Sequence, residues 1–332
     1  MKFNSELLKK LVNLYGPSGN ENLIREYITK EIENYVDEIE IDDLGNLIVR
    51  KKGNGKRIMV AAHMDQIGLM VTNIDDDGFL RFTNIGGISP FVTLSQQVLF
   101  ENGTVGVISS EPLEDISKLK LSNMFIDIGA KNKKEAEKLI NIGDICVYKS
   151  EFGENDNVVF SRSLDDRVGC FVAIEVLKKI ENTTNDLYFV FTVQEEVGLR
   201  GAKTSAYKID PDIGIAIDVT GSGDTPKAKP FAVGLHNGTA IKVKDNSILT
   251  HPKLREIMVN IAEEKQIPYQ LEVLEFGGTD SGAIHLTKEG IPSGVISIPT
   301  RYIHSTIEMA SKSDIINSIK LLTKLLEHNI DL

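Results

Sequence analysis

Leu7, Leu8, Leu11, Val12 and Leu14 recur at helical spacing and predict a helix over 5–14, with Ser5 as its N-cap. Gly16-Pro17-Ser18-Gly19 reads as a loop. Leu23, Ile24, Tyr27, Ile28 and Ile32 then predict a second amphipathic helix over 21–34. The period changes after that. Residues 46–49 read as a strand and Gly53-Asn54-Gly55 as a turn. The run Arg57-Ile58-Met59-Val60-Ala61-Ala62 follows. A nearly continuous apolar run after a Gly-rich turn predicts a strand buried on both faces.

From 66 to 160 the texture is different. Short β-like segments at 68–73, 79–82, 97–100, 104–108 and 144–148 alternate with Gly, Asn and Asp turns, and one helical stretch, 132–140, interrupts them. This spacing predicts a small β-barrel or sandwich. From 161 the rhythm is helix 167–180, strand 187–193, strand 213–219, helix 252–264, strand 293–298 and helix 311–328. Such alternation predicts an α/β fold with a mostly parallel, doubly wound sheet. The expected organisation is one α/β catalytic domain from 1–65 and 161–332, with 66–160 as an inserted β-rich domain. There is no internal repeat and no low-complexity segment.

The 332 residues are 41% hydrophobic and 26% charged, enough for a substantial core. The net charge of -11 argues against nucleic acid or anionic lipid as a partner. The basic run Lys131–Lys134 is short and is followed by Glu135 and Glu137. No stretch approaches the roughly 20 apolar residues needed to span a bilayer, so a cytoplasmic protein with no membrane partner is expected. Cys146 and Cys170 each lie between apolar neighbours and read as buried reduced thiols, not as a disulfide or a thiolate metal site.

Polar residues collect at predicted strand ends, where open α/β sheets bind ligands. They are His63-Met64-Asp65, Gln194-Glu195-Glu196, Asp218 and Arg301-Tyr302-Ile303-His304; Asp165-Asp166-Arg167 stands at a helix start. Each group alone has an ordinary reading as a cap, a turn or a solvated loop. Together, two His and several carboxylates form the donor set of Zn²⁺, Co²⁺ or Mn²⁺. Two such ions carry four positive charges, which Asp165, Glu196, Asp218 and one bridging hydroxide would balance with both His neutral. Glu195 is then left free to act as a base. No GxGxxG or GxxxxGK[ST] follows a strand, so nucleotide binding is not expected.

These stretches resemble the tetrahedral aminopeptidases, a metallopeptidase family that includes glutamyl aminopeptidase and proteins often labelled endoglucanase. The likeness is carried by residues 16–21 (GPSGNE), 62–68 (AHMDQIG), 165–167 (DDR), 194–198 (QEEVG), 216–219 (AIDV), 277–283 (GGTDSGA) and 298–305 (IPTRYIHS). The resemblance implies that His63 and Asp218 hold one metal, Glu196 and His304 the other, and that Asp165 bridges them. It also implies that Asp65 orients His63, that Glu195 is the catalytic base, and that Gly277, Gly278, Thr279 and Asp280 line the substrate pocket. Gln66 stands where the family usually has Glu, and His236 where a small residue is expected.

The implied enzyme removes N-terminal residues from short peptides with two divalent ions per subunit, Zn²⁺ or Co²⁺, with Mn²⁺ as a further candidate. Two ions about 3.5–4 Å apart polarise the carbonyl and generate hydroxide near neutral pH. A free α-amine bound at one ion would restrict cleavage to N-termini. Glu195 would move the proton to the leaving amine. The rival readings are an endoglucanase-type glycoside hydrolase, which generally needs two carboxylates and no metal, and a di-metal carboxypeptidase or deacylase. A non-catalytic metal-binding protein would give Glu195 no role. Lys227, Lys229, His236 and Arg301 could each favour an acidic substrate side chain. Uncovered strand edges in 66–160, together with the resemblance, imply homo-oligomers in which dimers join into a hollow tetrahedral dodecamer.

Overall fold

The computed structural model describes residues 2–181, 183–228 and 231–332. Its centre is the apolar run read above, now strand Arg57–His63. It pairs in parallel with Asp186–Thr192 on one side and Ile213–Thr220 on the other. Ser293–Arg301 adds a further parallel strand beside Ile213–Thr220. These strands are buried almost throughout, which explains why they read as unbroken apolar runs.

The expected α/β fold is present, with a sheet that is parallel in its middle and mostly antiparallel around it. Leu47–Lys51 and Glu38–Ile41 extend one side antiparallel. Glu308–Ser311, Val158–Ser161 and Gly153–Glu154 extend the other. Thr239–Lys244 pairs antiparallel with Ser293–Arg301 and parallel with Tyr269–Val273. The connection 302–307 is too short for a helical crossover, so Glu308–Ser311 must fold back as a hairpin partner.

A closed antiparallel barrel separates the two halves of the sheet in sequence. Its strands, in order around the barrel, are Gly68–Ile74, Leu80–Ile85, Met124–Asp127, Val105–Ser110, Gln97–Phe100 and Ile145–Tyr148. Closure removes the strand edges. Leu69, Val71, Leu80, Val98, Ile108, Ile126 and Cys146 fill its core. The segments Gly153–Glu154 and Val158–Ser161, read above as part of the β-rich block, pair with the large sheet instead. The helix expected over 132–140 shrinks to Lys133–Ala136; only Ala136 and Ile140 of that stretch are buried, too few to hold a longer helix against the barrel.

Helix Ser5–Asn13 is capped one residue earlier than the pattern suggested. Asn4 Oδ1 accepts the Leu7 N–H at 3.3 Å, and the Ser5 hydroxyl donates to Glu154 at 2.6 Å. Helix Leu164–Leu177 is buried at every position, packed between the sheet, Ser5–Asn13 and Lys312–Glu327. Among the described residues no helix is long and apolar enough to cross a membrane.

Candidate metal centre

The parallel strands deliver their carboxyl ends to one place. His63 is the last residue of Arg57–His63, and Asp218 lies near the end of Ile213–Thr220. Glu195 and Glu196 follow Asp186–Thr192, and His304 sits in the hairpin loop 302–307. Asp165 comes from the opposite direction, at the start of Leu164–Leu177. There the backbone leaves helical geometry at Asp165 and Asp166, and the peptide between them is cis. Several flanking residues hold left-handed backbone conformations: Ser163 (φ 58°), Gln194 (55°), Tyr302 (63°) and His304 itself (60°). Non-glycine residues adopt this region only where their surroundings enforce it, often at functional sites.

The side chains form two groups sharing one member. His63, Asp165 and Asp218 each present a donor atom within 4.8 Å of the others, and so do Asp165, Glu196 and His304. Asp165 turns Oδ1 toward His63 Nε2 at 3.0 Å and Oδ2 toward His304 Nε2 at 3.2 Å. His304 Nε2 lies 3.1 Å from Glu196 Oε1, a buried oxygen with no well-aligned hydrogen-bond donor among the described residues. His63 Nε2 lies 3.9 Å from both Asp218 Oδ1 and Glu195 Oε2. Nitrogen and oxygen donors in these two groups could hold divalent cations.

Around them is a layer of fixed polar groups. His63 Nδ1 meets the Asp65 backbone carbonyl at 3.1 Å, closer than the 3.5 Å to Asp65 Oδ1. The Asp65 carboxylate is instead occupied by the Ser18 hydroxyl and the N–H groups of Glu195 and Glu196. Asp166 accepts the N–H groups of His63 and Gly169. The guanidinium of Arg167, fully buried, donates to the carbonyls of Met64, Leu11, Leu14 and Gly16, tying the end of the central strand to the N-terminal segment. Glu308 accepts the N–H groups of Asp165 and His304. Glu21 accepts those of Gly19 and Gln194. Ser18, Glu21 and Asp166 lie in stretches noted in the sequence but carried no assigned role there, and nothing in the pattern points to Glu308. Their partners are brought near only by the fold.

Concentrated carboxylates dominate the electrostatics. Burial first, then Asp218, Asp280 and Glu196, push Glu195 well above the usual carboxylate range, while His63 pulls it back. Asp218 rises for the same leading reason, with Asp165 and Asp280 adding to it. Burial opposes protonation of His63, but Glu195, Asp165 and Asp65 outweigh it and raise its pKa. Burial opposes ionisation of Asp165 too; its two imidazole partners outweigh that and hold it below the usual range. Like charges packed this closely are tolerated where a cation is meant to sit among them.

A cavity of about 540 Å³ opens onto the centre. Gly277, Gly278 and Thr279 lie on its wall with Leu199, Val219, Leu274, Phe276, Ile303 and Lys242. Asp280 does not line it; buried behind the wall, it accepts from the Thr192 hydroxyl at 2.5 Å. Of the four residues considered for an acidic substrate, Arg301 is engaged by Asp224 through two bonds of 2.9 and 2.7 Å. Lys227 is exposed and off the cavity wall, and Lys229 lies outside the described residues. His236 is also exposed and off the wall. Its φ of 69° is a left-handed conformation that favours glycine. Gln66 accepts from the Ser163 hydroxyl and donates to the Leu14 carbonyl at 3.3 Å, where the barrel joins the sheet.

An α/β sheet whose strand ends gather His and carboxylate donors beside an open cavity is the arrangement of a metal-dependent hydrolase. Residues 45–321 match the M42 glutamyl aminopeptidase family. A relative from Acetivibrio thermocellus is 55% identical over 320 residues, 96% of this chain and 97% of that one. The lysyl aminopeptidase of Pyrococcus furiosus is 37% identical over 336 residues, covering 97% and 96%. The TET1 peptidase of Pyrococcus horikoshii, described as assembling into a tetrahedron or a large octahedral shell, superposes with a TM-score of 0.87 at 36% identity, covering 97% of this chain and 98% of that one. The chain belongs to the M42 glutamyl aminopeptidase family and is a metallo-aminopeptidase.

Proposed function

We propose that the chain removes N-terminal residues from short peptides with two divalent cations, one held by His63, Asp165 and Asp218 and the other by Asp165, Glu196 and His304. The observation that carries this is the division of the Asp165 carboxylate, one oxygen toward each imidazole at 3.0 and 3.2 Å. The donor set fits. It has nitrogen and oxygen only, suiting Zn²⁺, Co²⁺ or Mn²⁺, and Glu196 Oε1, buried and without a well-aligned donor among the described residues, is aimed into the second group.

When bound, two such ions polarise a carbonyl and acidify water. Glu195 is the general base. It takes a proton from the attacking water and returns it to the leaving amine. Asp65 keeps Glu195 and Glu196 in place through their N–H groups, and Gly277, Gly278 and Thr279 border the peptide. A glycoside hydrolase would leave His63 and His304 idle; a carboxypeptidase or deacylase would accept N-blocked substrates.

The barrel is proposed as the dimerisation module of the inserted segment 66–160, with dimers closing into a dodecamer around enclosed active sites. The P. horikoshii relative, described as assembling into a tetrahedron or a large octahedral shell, supports a large closed assembly. Cys146 and Cys170, both free and buried, suit a cytoplasmic setting. The deciding experiment is a panel of free and N-blocked aminoacyl arylamides, assayed after metal removal and after adding back Zn²⁺, Co²⁺ or Mn²⁺. Chelator-resistant activity, or equal turnover of blocked substrates, would overturn the proposal.

A further inference from the structure

We infer that Glu308 is a positioning residue that holds His304 and the shared carboxylate Asp165 at a fixed separation, and so sets the affinity of the second cation site. The inference rests on the two-cation reading above. Glu308 is 2% exposed, yet neither its strand nor its core requires a charge. Its oxygens are divided: Oε2 accepts the Asp165 N–H and Oε1 the His304 N–H, both at 2.9 Å. One buried carboxylate thus clamps the backbones of two residues from the same candidate site, Asp165, Glu196 and His304.

His304 needs such a clamp. It has φ of 60°, as does its neighbour Tyr302 at 63°, conformations a non-glycine residue keeps only when held. Its loop is exposed at Tyr302 and Ile307, and the Ser305 hydroxyl bonds only within the loop, to Ile307. Asp165, by contrast, begins a fully buried helix and meets His63 on its other side. If the clamp weakens, the loop yields before the helix start does. The site containing His63, Asp165 and Asp218 is then preserved while the site containing His304 loosens.

Glu308→Gln keeps the side chain's size but replaces one acceptor with an NH₂ group, leaving one of the two N–H groups facing a donor. Glu308→Asp keeps the carboxyl group and draws it back by one methylene. The full-length protein, stripped of metal and dialysed, is titrated with Co²⁺ by calorimetry alongside thermal unfolding. The wild type is expected to bind two equivalents. Both variants should keep one equivalent within about threefold of wild-type affinity and bind the second roughly 10–100-fold more weakly. Two equivalents at wild-type affinity in both variants would overturn the inference. So would equal weakening of both sites with a lowered Tm, which marks a purely structural carboxylate. A wild type that binds fewer than two equivalents removes the two-cation reading itself, and this inference with it.

Discussion

The Asp65 carboxylate accepts the backbone N–H of Glu195 at 3.0 Å through Oδ1; its Oδ2 takes the N–H of Glu196 at 3.2 Å and the Ser18 hydroxyl at 2.6 Å. Two adjacent glutamates with different proposed tasks therefore hang from one buried anion. Asp65→Asn leaves one carbonyl oxygen for three donors, so at least one N–H loses its acceptor. Losses of about 10–100-fold in kcat or metal affinity are expected, as for other groups that position metal ligands. Ser18→Ala removes only the hydroxyl and should cost less. Full activity in Asp65→Asn, with metal content unchanged, would show that the loop is held by something else.

Glu195→Gln and Glu196→Gln should separate. Glu195→Gln cannot accept a proton. It should keep both cations and substrate affinity while kcat falls roughly 10²–10⁴-fold. Glu196→Gln puts a neutral amide where the second cation needs charge, so it should lose metal first and recover part of its activity in excess metal. Elemental analysis beside kcat decides the matter. If Glu195→Gln is the variant that loses metal, the assignment is reversed.

Chelation should cost stability in a pH-dependent way. Without cations, burial and mutual repulsion raise Glu195 and Asp218 above the usual carboxylate range. A carboxyl whose folded pKa is raised holds a proton that the unfolded chain has released, so stability falls as pH climbs from the ordinary carboxylate range toward the raised value. The Tm gap between metal-loaded and chelated protein should therefore widen from pH 5 to pH 8. A constant gap would mean that these carboxylates do not face one another as described.

Assembly offers a separate check. The barrel segment exposes Phe91, Val105, Val107, Ile116, Leu139 and Ile142, more apolar side chains than a solvated barrel needs. Light scattering at micromolar concentration should find a large particle, and Phe91→Asp with Ile142→Asp should reduce it. A wild-type monomer with metal present would exclude the enclosed-particle reading.

The sequence made the strand ends legible because their neighbours are so apolar. His63, Glu195, Glu196, Asp218 and His304 each interrupt or follow a buried run, and the structure brings them together. Helix Arg200–Ile209 is faint in the sequence because it buries Gly201, Ala202, Ser205 and Ala206, small side chains with only Ile209 as a large apolar one. The edge strand Glu38–Ile41 is not legible because it is exposed along its length and carries no burial pattern. Glu308 was invisible for a different reason. Its significance lies in two backbone N–H groups, and one of them is 143 residues away in sequence.

Glu21 is 4% exposed, and its pKa is raised from 4.5 to about 7, first by burial and then by the nearby Asp65. Both of its hydrogen bonds, from Gly19 at 2.7 Å and Gln194 at 3.2 Å, end on the same oxygen, Oε1. Glu21→Gln can therefore keep both through its carbonyl while removing the charge. Below pH 4.5 the wild-type carboxyl is protonated in the folded and unfolded states alike, and its charge costs nothing. Between about 4.5 and 7 the folded protein holds a proton that the unfolded chain has lost, so stability falls as pH rises through that window. The full loss, reached above about pH 7, is on the order of 3 kcal/mol if the whole shift is expressed. Glu21→Gln should match the wild type near pH 4.5 and exceed it at pH 8 by a few degrees in Tm, measured by calorimetry in the metal-loaded form. A variant less stable than wild type at pH 8 would mean that the charge of Glu21 is stabilising, held by its two N–H donors more strongly than burial opposes it.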